Sequence, residues 1–320
     1  MNQENTPKPI IKLKIIEKKN LWILLSTCVI LVGFLLMAFK GLQQKPYLNF
    51  GIDFIGGTTM ILKLDEMEKE ITASPDNEAS IHDAYSNKIR RALKDKNLEK
   101  STIQFTQDNE VIIKTLELTS DKNLDIRNHL KTEIGNFQVL EIDFIGPTIG
   151  NELRRTSIWI IIIVSISLLI YISWRFEYYF GIAALFALLH DALITISMAS
   201  VFNIEINTAF VAALLTILGY SINDTIVIFD RIRENFLAAR QVEPGSIINE
   251  ALNQTLSRTL MTSLTTLLVL FALFYLGGEV IHSFAGALLI GVVIGTYSSI
   301  YVASSTILTM GISKEDMLPS

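Results

Sequence analysis

The chain has 320 residues, of which 50% are hydrophobic, and its mean hydropathy is +0.41. Its apolar residues are grouped into long runs, a pattern that excludes an ordinary soluble protein. A net charge of −5 argues against a nucleic-acid partner. The single cysteine, Cys28, excludes an internal disulfide.

Six segments are apolar enough and long enough to cross a bilayer as helices. They lie near residues 21–39, 157–174, 178–199, 208–229, 257–276 and 284–310. The first is longer than the apolar part of a usual signal peptide, and no small-residue cleavage site follows it, so we interpret it as an uncleaved anchor. The sequence therefore predicts transmembrane helix 1 at 21–39 and a bundle of helices 2 to 6 over 157–310.

Basic residues in the short flanks predict the orientation, because such residues stay on the cytoplasmic side. The loops near 200–207 and 277–283 contain no Lys or Arg. Residues 1–20 and 311–320 are therefore expected in the cytoplasm, and residues 40–156 in the periplasm. The basic residues behind this prediction are Lys8, Lys12, Lys14, Lys18, Lys19, Arg175, Arg231, Arg233, Arg240 and Lys314.

The charged region 40–156 between the first two spans predicts a soluble α+β domain. Gly51, Gly56 and Gly57 interrupt a strand-like run at its start. Hydrophobic periodicity then predicts strands and helices in the order β-α-β-β-α-β, that of a ferredoxin-like fold. The predicted ranges are 58–64, 78–96, 102–106, 111–115, 121–134 and 139–145, with Leu124, Leu130 and Ile134 inward on the second helix.

This domain shows no pattern typical of an enzyme. It has no Ser/His/Asp set, no Cys/His cluster and no phosphate-binding loop. His82 and His129 lie on its helices without metal-ligand company, so we interpret them as surface residues. We expect no catalytic activity, no cofactor and no metal.

An acidic residue lies inside the fourth span. Asn223 and Asp224 interrupt the apolar run 209–229. At 100° per residue, one face is apolar and suits lipid, while the opposite face is polar and suits protein or water. A carboxylate at membrane depth is costly, so a function is favoured over a simple hydrogen bond to a neighbouring helix. The apolar face holds Leu215, Leu218, Ile222, Ile226 and Phe229, and the polar face holds Thr216, Gly219, Tyr220, Asn223 and Asp224.

Two further polar positions accompany Asp224. His190 and Asp191 lie near the middle of the third span and form either a proton relay or a fixed hydrogen bond between helices. Arg258 opens the fifth span, on a stripe with Thr255, Thr262 and Thr265. Its side chain either reaches the level of Asp224 or anchors the helix at the cytoplasmic surface.

The last span carries Gly291, Gly295 and Ser298 on one face, the spacing of a close helix-packing seam. We assign this glycine face to the contact with a second chain.

Three stretches resemble the signatures of the SecF family, whose members are smaller subunits of the SecD–SecF export complex. They are FGIDFIGGT at 50–58, GPTIGNEL at 146–153 and GYSINDTIVIFDRIREN at 219–235. The resemblance implies six spans, one periplasmic domain, and similarity to the resistance–nodulation–division transporters, whose six-helix halves pair by pseudo-two-fold symmetry.

The resemblance also implies a role in protein translocation driven by the proton-motive force. The implied partners are a SecD-like subunit, the Sec translocon channel, the exported preprotein as client, and membrane lipids. Family members use the acidic residue of the NDTIVIF stretch and an arginine opening the next span in proton passage, here Asp224 and Arg258. His190, Asp191 and Asn223 complete the candidate proton pathway. The alternative is a free-standing proton-driven exporter of lipids or small molecules on the same scaffold.

Overall fold

The computed structural model describes residues 14–99, 101–106, 108–115, 120–239 and 243–312. Lys8, Lys12, Arg240 and Lys314, used above for the orientation, lie outside these residues. The described chain forms two compact units. One spans Phe50–Ile158 and is called the α+β unit below, and the other contains the residues before 50 and after 158 and is called the membrane unit.

The α+β unit consists of short helices and strands, and the membrane unit consists mainly of long helices. The helices are α1 (Lys19–Leu42), α2 (Ile52–Ile55), α3 (Asp65–Ala73), α4 (Glu78–Asp95), α5 (Ser120–Ile134), α6 (Pro147–Arg175), α7 (Tyr178–Val201), α8 (Thr208–Ala238), α9 (Pro244–Leu276), α10 (Gly278–Tyr297) and α11 (Ser304–Thr309), with a π-helical turn (Ser298–Ala303) between the last two. The strands are β1 (Asn49–Phe50), β2 (Gly57–Leu64), β3 (Thr102–Phe105), β4 (Glu110–Thr115), β5 (Phe137–Ile145) and β6 (Glu205–Ile206).

The α+β unit contains a four-stranded antiparallel sheet in the order β3-β4-β2-β5. The element sequence β2-α-β3-β4-α5-β5 with this strand order is that of a ferredoxin-like fold, so this part of the fold prediction is confirmed. Alternate residues of the central strand β2 face the helices, because successive side chains point to opposite faces. The buried core consists mainly of Met60, Leu62 and Leu64 from β2, Tyr85, Ile89 and Leu93 from α4, and Ile126, Leu130 and Ile134 from α5.

Three expectations for this unit are corrected. Leu124 is 59% exposed, and Ile126 takes the inward position on α5. Residues 52–55 form a helical turn instead of continuing a strand. His82 is not a plain surface residue, because its ring stacks on Phe105 with 4.5 Å between centroids and its Nε2 lies 3.1 Å from Asn109 Oδ1. Leu124 was wrongly predicted to face inward because the few apolar residues of α5 are compatible with two alternative buried faces.

Glycines bring two of the signature stretches together. Gly56 and Gly57 have φ of +75° and +144°, a backbone region that other residues rarely adopt. A Cβ placed on Gly150 would lie 3.0 Å from the backbone nitrogen of Gly56. The start of α6 therefore packs directly on the backbone that leads into β2.

The membrane unit contains six helices long and apolar enough to span a bilayer, which confirms the predicted spans. The third, fourth and sixth are mostly buried by their neighbours, whereas only 6% of the apolar window of the second span is buried. α7, α8 and α10 therefore form the centre of this unit, and α6 leaves its apolar side chains for lipid. The six spans are Ile16–Leu42, Pro147–Arg175, Tyr178–Val201, Thr208–Ala238, Pro244–Leu276 and Ile281–Thr309.

The assignment of the apolar face of α8 to lipid is wrong. Leu218, Ile222 and Phe229 are buried within the unit, while Thr216 and Asn223 are exposed. Helical periodicity identifies two faces but does not say which one meets lipid, because lipid tails and a protein interior are equally apolar. The apolar face packs against α7 and α10.

The glycine seam also has a different partner from the one expected. A Cβ on Gly291 would come within 2.2 Å of Ile217, and a Cβ on Gly295 within 3.0 Å of Ser221. α10 therefore uses this face to approach α8 of the same chain. The assignment of this seam to a second chain is wrong.

Candidate functional site

The centre of the membrane unit holds a carboxylate whose two oxygens are both hydrogen-bonded. Asp191 is fully buried in the middle of α7. Its Oδ1 lies 2.9 Å from His190 Nδ1, and its Oδ2 accepts bonds from the hydroxyls of Ser221, at 2.5 Å, and Ser298, at 2.8 Å. Donors from α7, α8 and the π-helical turn therefore meet at one side chain.

Small residues make this meeting possible. Ala183, Ala187 and Ser197 are buried on the same side of α7 as His190. Together with the glycines of α10, they let three backbones approach closely enough for short side chains to bond across them. The hydrogen bonds of Asp191 thus join α7 to α8 and to the π-helical turn.

Further hydrogen bonds join α8 to the π-helical turn. Ser299 Oγ donates to the backbone oxygen of Ser221 at 3.1 Å and lies 2.8 Å from Thr225 Oγ1. Because Ser299 uses its hydrogen on the Ser221 carbonyl, Thr225 is the donor to Ser299. Ser221, Thr225, Ser298 and Ser299 are called the hydroxyl cluster below.

Asp224 lies between two members of this cluster on α8, yet its environment is the opposite of that of Asp191. Its side chain is buried, with 4% of the residue exposed, and its Oδ2 has no hydrogen-bond partner among the described residues. The guanidinium of Arg258 on α9 acts on it electrostatically. No ion pair within 4.0 Å joins the two in the described part of the chain.

The other predicted residues differ in their exposure. Asn223 and Arg258 are exposed, and Asn223 belongs to the polar face of α8 that the sequence assigned to protein or water. The predicted polar stripe of α9 is also split, because Thr255 is buried while Thr262 and Thr265 are exposed. The turn of about 100° between consecutive residues explains why Asn223 is exposed although the adjacent Asp224 is buried.

Sequence reasoning missed most of the buried hydroxyls. Ser221, Thr225 and Ser299 were not singled out, and neither were Thr259 and Ser263 of α9. Ser263 Oγ lies 2.6 Å from Thr296 Oγ1 of α10. A Ser or Thr within an apolar span is a weak signal, since it also bonds its own helix backbone.

The sequence comparisons agree with this architecture. A family model described as protein export membrane protein SecD/SecF, C-terminal, matches residues 125–313, and one described as the SecD/SecF GG motif matches residues 48–66. The first match covers more than half of the chain. The chain belongs to the SecD/SecF family.

Two curated relatives are each named protein translocase subunit SecF. The one from Vibrio alginolyticus is 41% identical over 282 residues, which cover 86% of this chain and 84% of the relative. The one from Sebaldella termitidis is 38% identical over 294 residues, or 91% of this chain and 90% of the relative. This SecF-type chain is therefore a multi-pass membrane subunit of Sec protein export, and a free-standing exporter of lipids or small molecules is not favoured.

Solved structures show the same fold. The crystal structure of SecDF from Thermus thermophilus, described as a translocon-associated membrane protein, matches with a TM-score of 0.80 and 33% identity. SecDF in its super-membrane-facing form matches with a TM-score of 0.63 and 34% identity. The first match covers 95% of this chain but only 39% of the SecDF chain, so this chain spans less than half of that protein.

The contrast between the two carboxylates gives a stability prediction. Asp191→Ala leaves buried donors on three elements without an acceptor, and is expected to lower the free energy of unfolding by about 3–5 kcal/mol. Asp224→Ala removes a buried carboxylate oxygen that has no hydrogen bond, and is expected to leave stability unchanged or raised. Melting temperatures of the two purified variants in mild detergent measure the difference. Equal losses in both would show that Asp224 is as well bonded as Asp191.

Proposed function

We propose that this chain is one half of a proton-driven motor for protein export, and that Asp224 is the group that takes up and releases the proton. The chain acts as a transport subunit and not as an enzyme. Together with a SecD-like half, it promotes the translocation of preproteins through the Sec channel. The unbonded, buried carboxylate of Asp224, with Arg258 as its cation, is the observation that carries this proposal.

The environment of Asp224 suits a group that changes its protonation. A buried carboxylate without hydrogen bonds gains little from staying charged, whereas a nearby guanidinium favours the charged form. Such opposed influences are typical of functional proton carriers. One charge crossing a membrane potential of 100 mV releases about 2.3 kcal/mol, which is enough to bias a movement of packed helices.

His190, Asp191 and Asn223 take part at the edges of this pathway. Asp191 accepts hydrogen bonds from Ser221 and Ser298 of the hydroxyl cluster and, with His190, provides the next ionisable pair. His190 Nε2 is buried and has no partner among the described residues, so it can accept or donate a further bond. Asn223 is exposed beside Asp224 and so lies where a pathway enters from the partner side.

The membrane unit carries an uncovered polar strip that supports the need for a SecD-like partner. Thr216 and Asn223 of α8 and Arg258, Thr262 and Thr265 of α9 are exposed within or next to the spans. An amide and a guanidinium in contact with lipid tails are costly. A second set of helices, supplied by a SecD-like half, would cover them, and the SecDF chain is long enough to include such a half, because this chain covers only 39% of it. Lipids then contact the remaining apolar faces.

The orientation places both termini, residues 1–20 and 311–320, in the cytoplasm and residues 40–156 in the periplasm. Basic residues that form ion pairs at one end of the helix bundle support this orientation. Arg233 Nε lies 3.1 Å from Glu177 Oε1, and Arg175 lies 3.4 Å from Asp230. Positive charge at the helix ends is typical of the cytoplasmic side.

Asp224→Asn tests the proton role. The amide keeps the size of the side chain but cannot carry a proton, so assembly is expected to be normal and the stimulation of export by the proton-motive force to be lost. Arg258→Ala is expected to show a similar loss, and Asp224→Glu to keep part of the activity. Secretion of a slowly exported substrate is measured with and without an uncoupler. Asp230→Asn, a carboxylate on the exposed part of the same helix, is the control and should export normally.

Wild-type export and uncoupler sensitivity in the Asn variant would overturn the proton role of Asp224. His190 and Asp191 would then be the remaining ionisable groups of the pathway.

Co-purification tests the partner. The native chain, extracted in mild detergent, is expected to carry a SecD-like chain. Asn223→Trp should reduce its recovery because a bulky ring then stands on the uncovered strip. Phe186→Trp, on an exposed part of α7, should not. Recovery of the native chain only as a monomer or homodimer contradicts the pairing.

Thiol labelling tests the orientation. Cys28 is first replaced by Ser, and single cysteines are placed at Asp76 in the α+β unit and at Glu234 near the end of α8, both exposed. A membrane-impermeant reagent added to cells with a permeabilised outer membrane is expected to label position 76 and spare position 234. The reverse pattern would invert the topology.

A further inference from the structure

The hydroxyl cluster joins Asp191 to the turn of α8 that carries Asp224, and neither the family assignment nor the proton role of Asp224 explains it. Ser298 bonds Asp191, and the adjacent Ser299 bonds both the backbone of Ser221 and the side chain of Thr225. The two serines thus contact α7 and two successive turns of α8. Asp224 lies between those two turns.

The segment that presents these serines is a π-helical turn inside a transmembrane helix. The turn covers Ser298–Ala303, and Ser304 Oγ donates to the backbone oxygen of Ser299 at 3.3 Å. π-helical turns inside α-helices are rare and occur often at functional sites. The widened turn offsets the helix register between α10 and α11 and brings consecutive serines to the contact with α8.

The contact leaves α8 little freedom to rotate or slide. A Cβ on Gly295 would lie 3.0 Å from Ser221 Cβ, so the two backbones are already in close contact one turn before the serines. Ser221 is held at its side chain by Asp191 and at its carbonyl by Ser299. Thr225 is held in the next turn.

We infer that Ser221, Thr225, Ser298 and Ser299 are positioning residues that set the rotation and height of the α8 turn carrying Asp224. They act through the backbone of α8 and do not themselves carry the proton or touch the client. This inference rests on the proposed role of Asp224. Hydroxyls suit the task because each can donate or accept, and the 3.5 Å separation of Ser221 Oγ from Ser298 Oγ offers a second pairing when the helices shift.

The ionisable groups near this part of α8 lie on two neighbouring helices. α7 contributes His190 and Asp191, and α9 contributes Arg258, which acts electrostatically on Asp224, whereas Tyr297 and Tyr301 contact Trp22 of α1. A rotation of α8 changes the distance of Asp224 from the groups on α7 and α9. Loosening the cluster should therefore move the pH dependence of proton-driven export, which a loss of packing alone would not do.

The double variant Thr225→Val/Ser299→Ala tests the inference, because it removes both partners of one bond and leaves fewer orphaned hydroxyls. Uncoupler-sensitive export is measured as a function of pH in cells that carry the full complex. The expected result is a displaced pH midpoint and a rate lower by about threefold, the factor that an average hydrogen bond between membrane helices represents. Export in the presence of the uncoupler should not change.

Two further variants separate positioning from folding. Ser305→Ala alters a buried serine next to the same turn whose hydroxyl has no partner among the described residues, and should behave as wild type. Thr225→Ser keeps the hydroxyl and, with Ser299 intact, should retain the wild-type pH profile of export. A double variant with an unmoved pH midpoint, whether or not its melting temperature falls, overturns the inference.

The outcome for Asp224→Asn distinguishes the two proposals. If that variant loses proton-driven export while the double variant keeps the wild-type pH profile, only the positioning role fails. If Asp224→Asn exports as wild type does, the proton role fails, and the positioning role, which depends on it, fails with it.

Discussion

The membrane unit depends on the hydrogen bonds that the carboxylate of Asp191 accepts. A charge in the interior of a bilayer protein is tolerated only when it is paired and hydrogen-bonded, and Asp191 has donors from α7, α8 and the π-helical turn. Meeting that requirement brings the three central helices into close contact. The glycines of α10 and the alanines of α7 follow from it, because larger residues would hold the donors out of range.

Asp224, on the neighbouring helix α8, is a buried carboxylate for which that requirement is not met. Its buried oxygen lacks a hydrogen bond, and Arg258, the cation that acts on it electrostatically, is an exposed residue of α9. One carboxylate therefore stabilises the fold, while the other remains in an unfavourable environment that folding alone would not select. This division supports the proposal that Asp224 changes its protonation, because perturbed carboxylates of this kind are found at functional sites.

The α+β unit shows a similar use of close backbone contact. Its two signature stretches are separated by about 90 residues, yet Gly56 and Gly150 place them against each other. A contact of this kind cannot hold side chains, so it depends on glycine at both positions. It fixes the end of the sheet to the beginning of α6 within the unit.

The sequence by itself determined the six spans, the strand and helix order of the α+β unit, and the burial of Asp224, His190 and Asp191. These depend on local hydrophobic periodicity and on the cost of charge at membrane depth, both of which can be evaluated within one segment. Only the tertiary structure decided which face of α8 is buried, that Gly291 meets α8 of the same chain, and that Ser221, Thr225 and Ser299 form a cluster. The reason is physical: lipid and protein interior are equally apolar, and a hydroxyl gains an interhelical partner only when another helix approaches it.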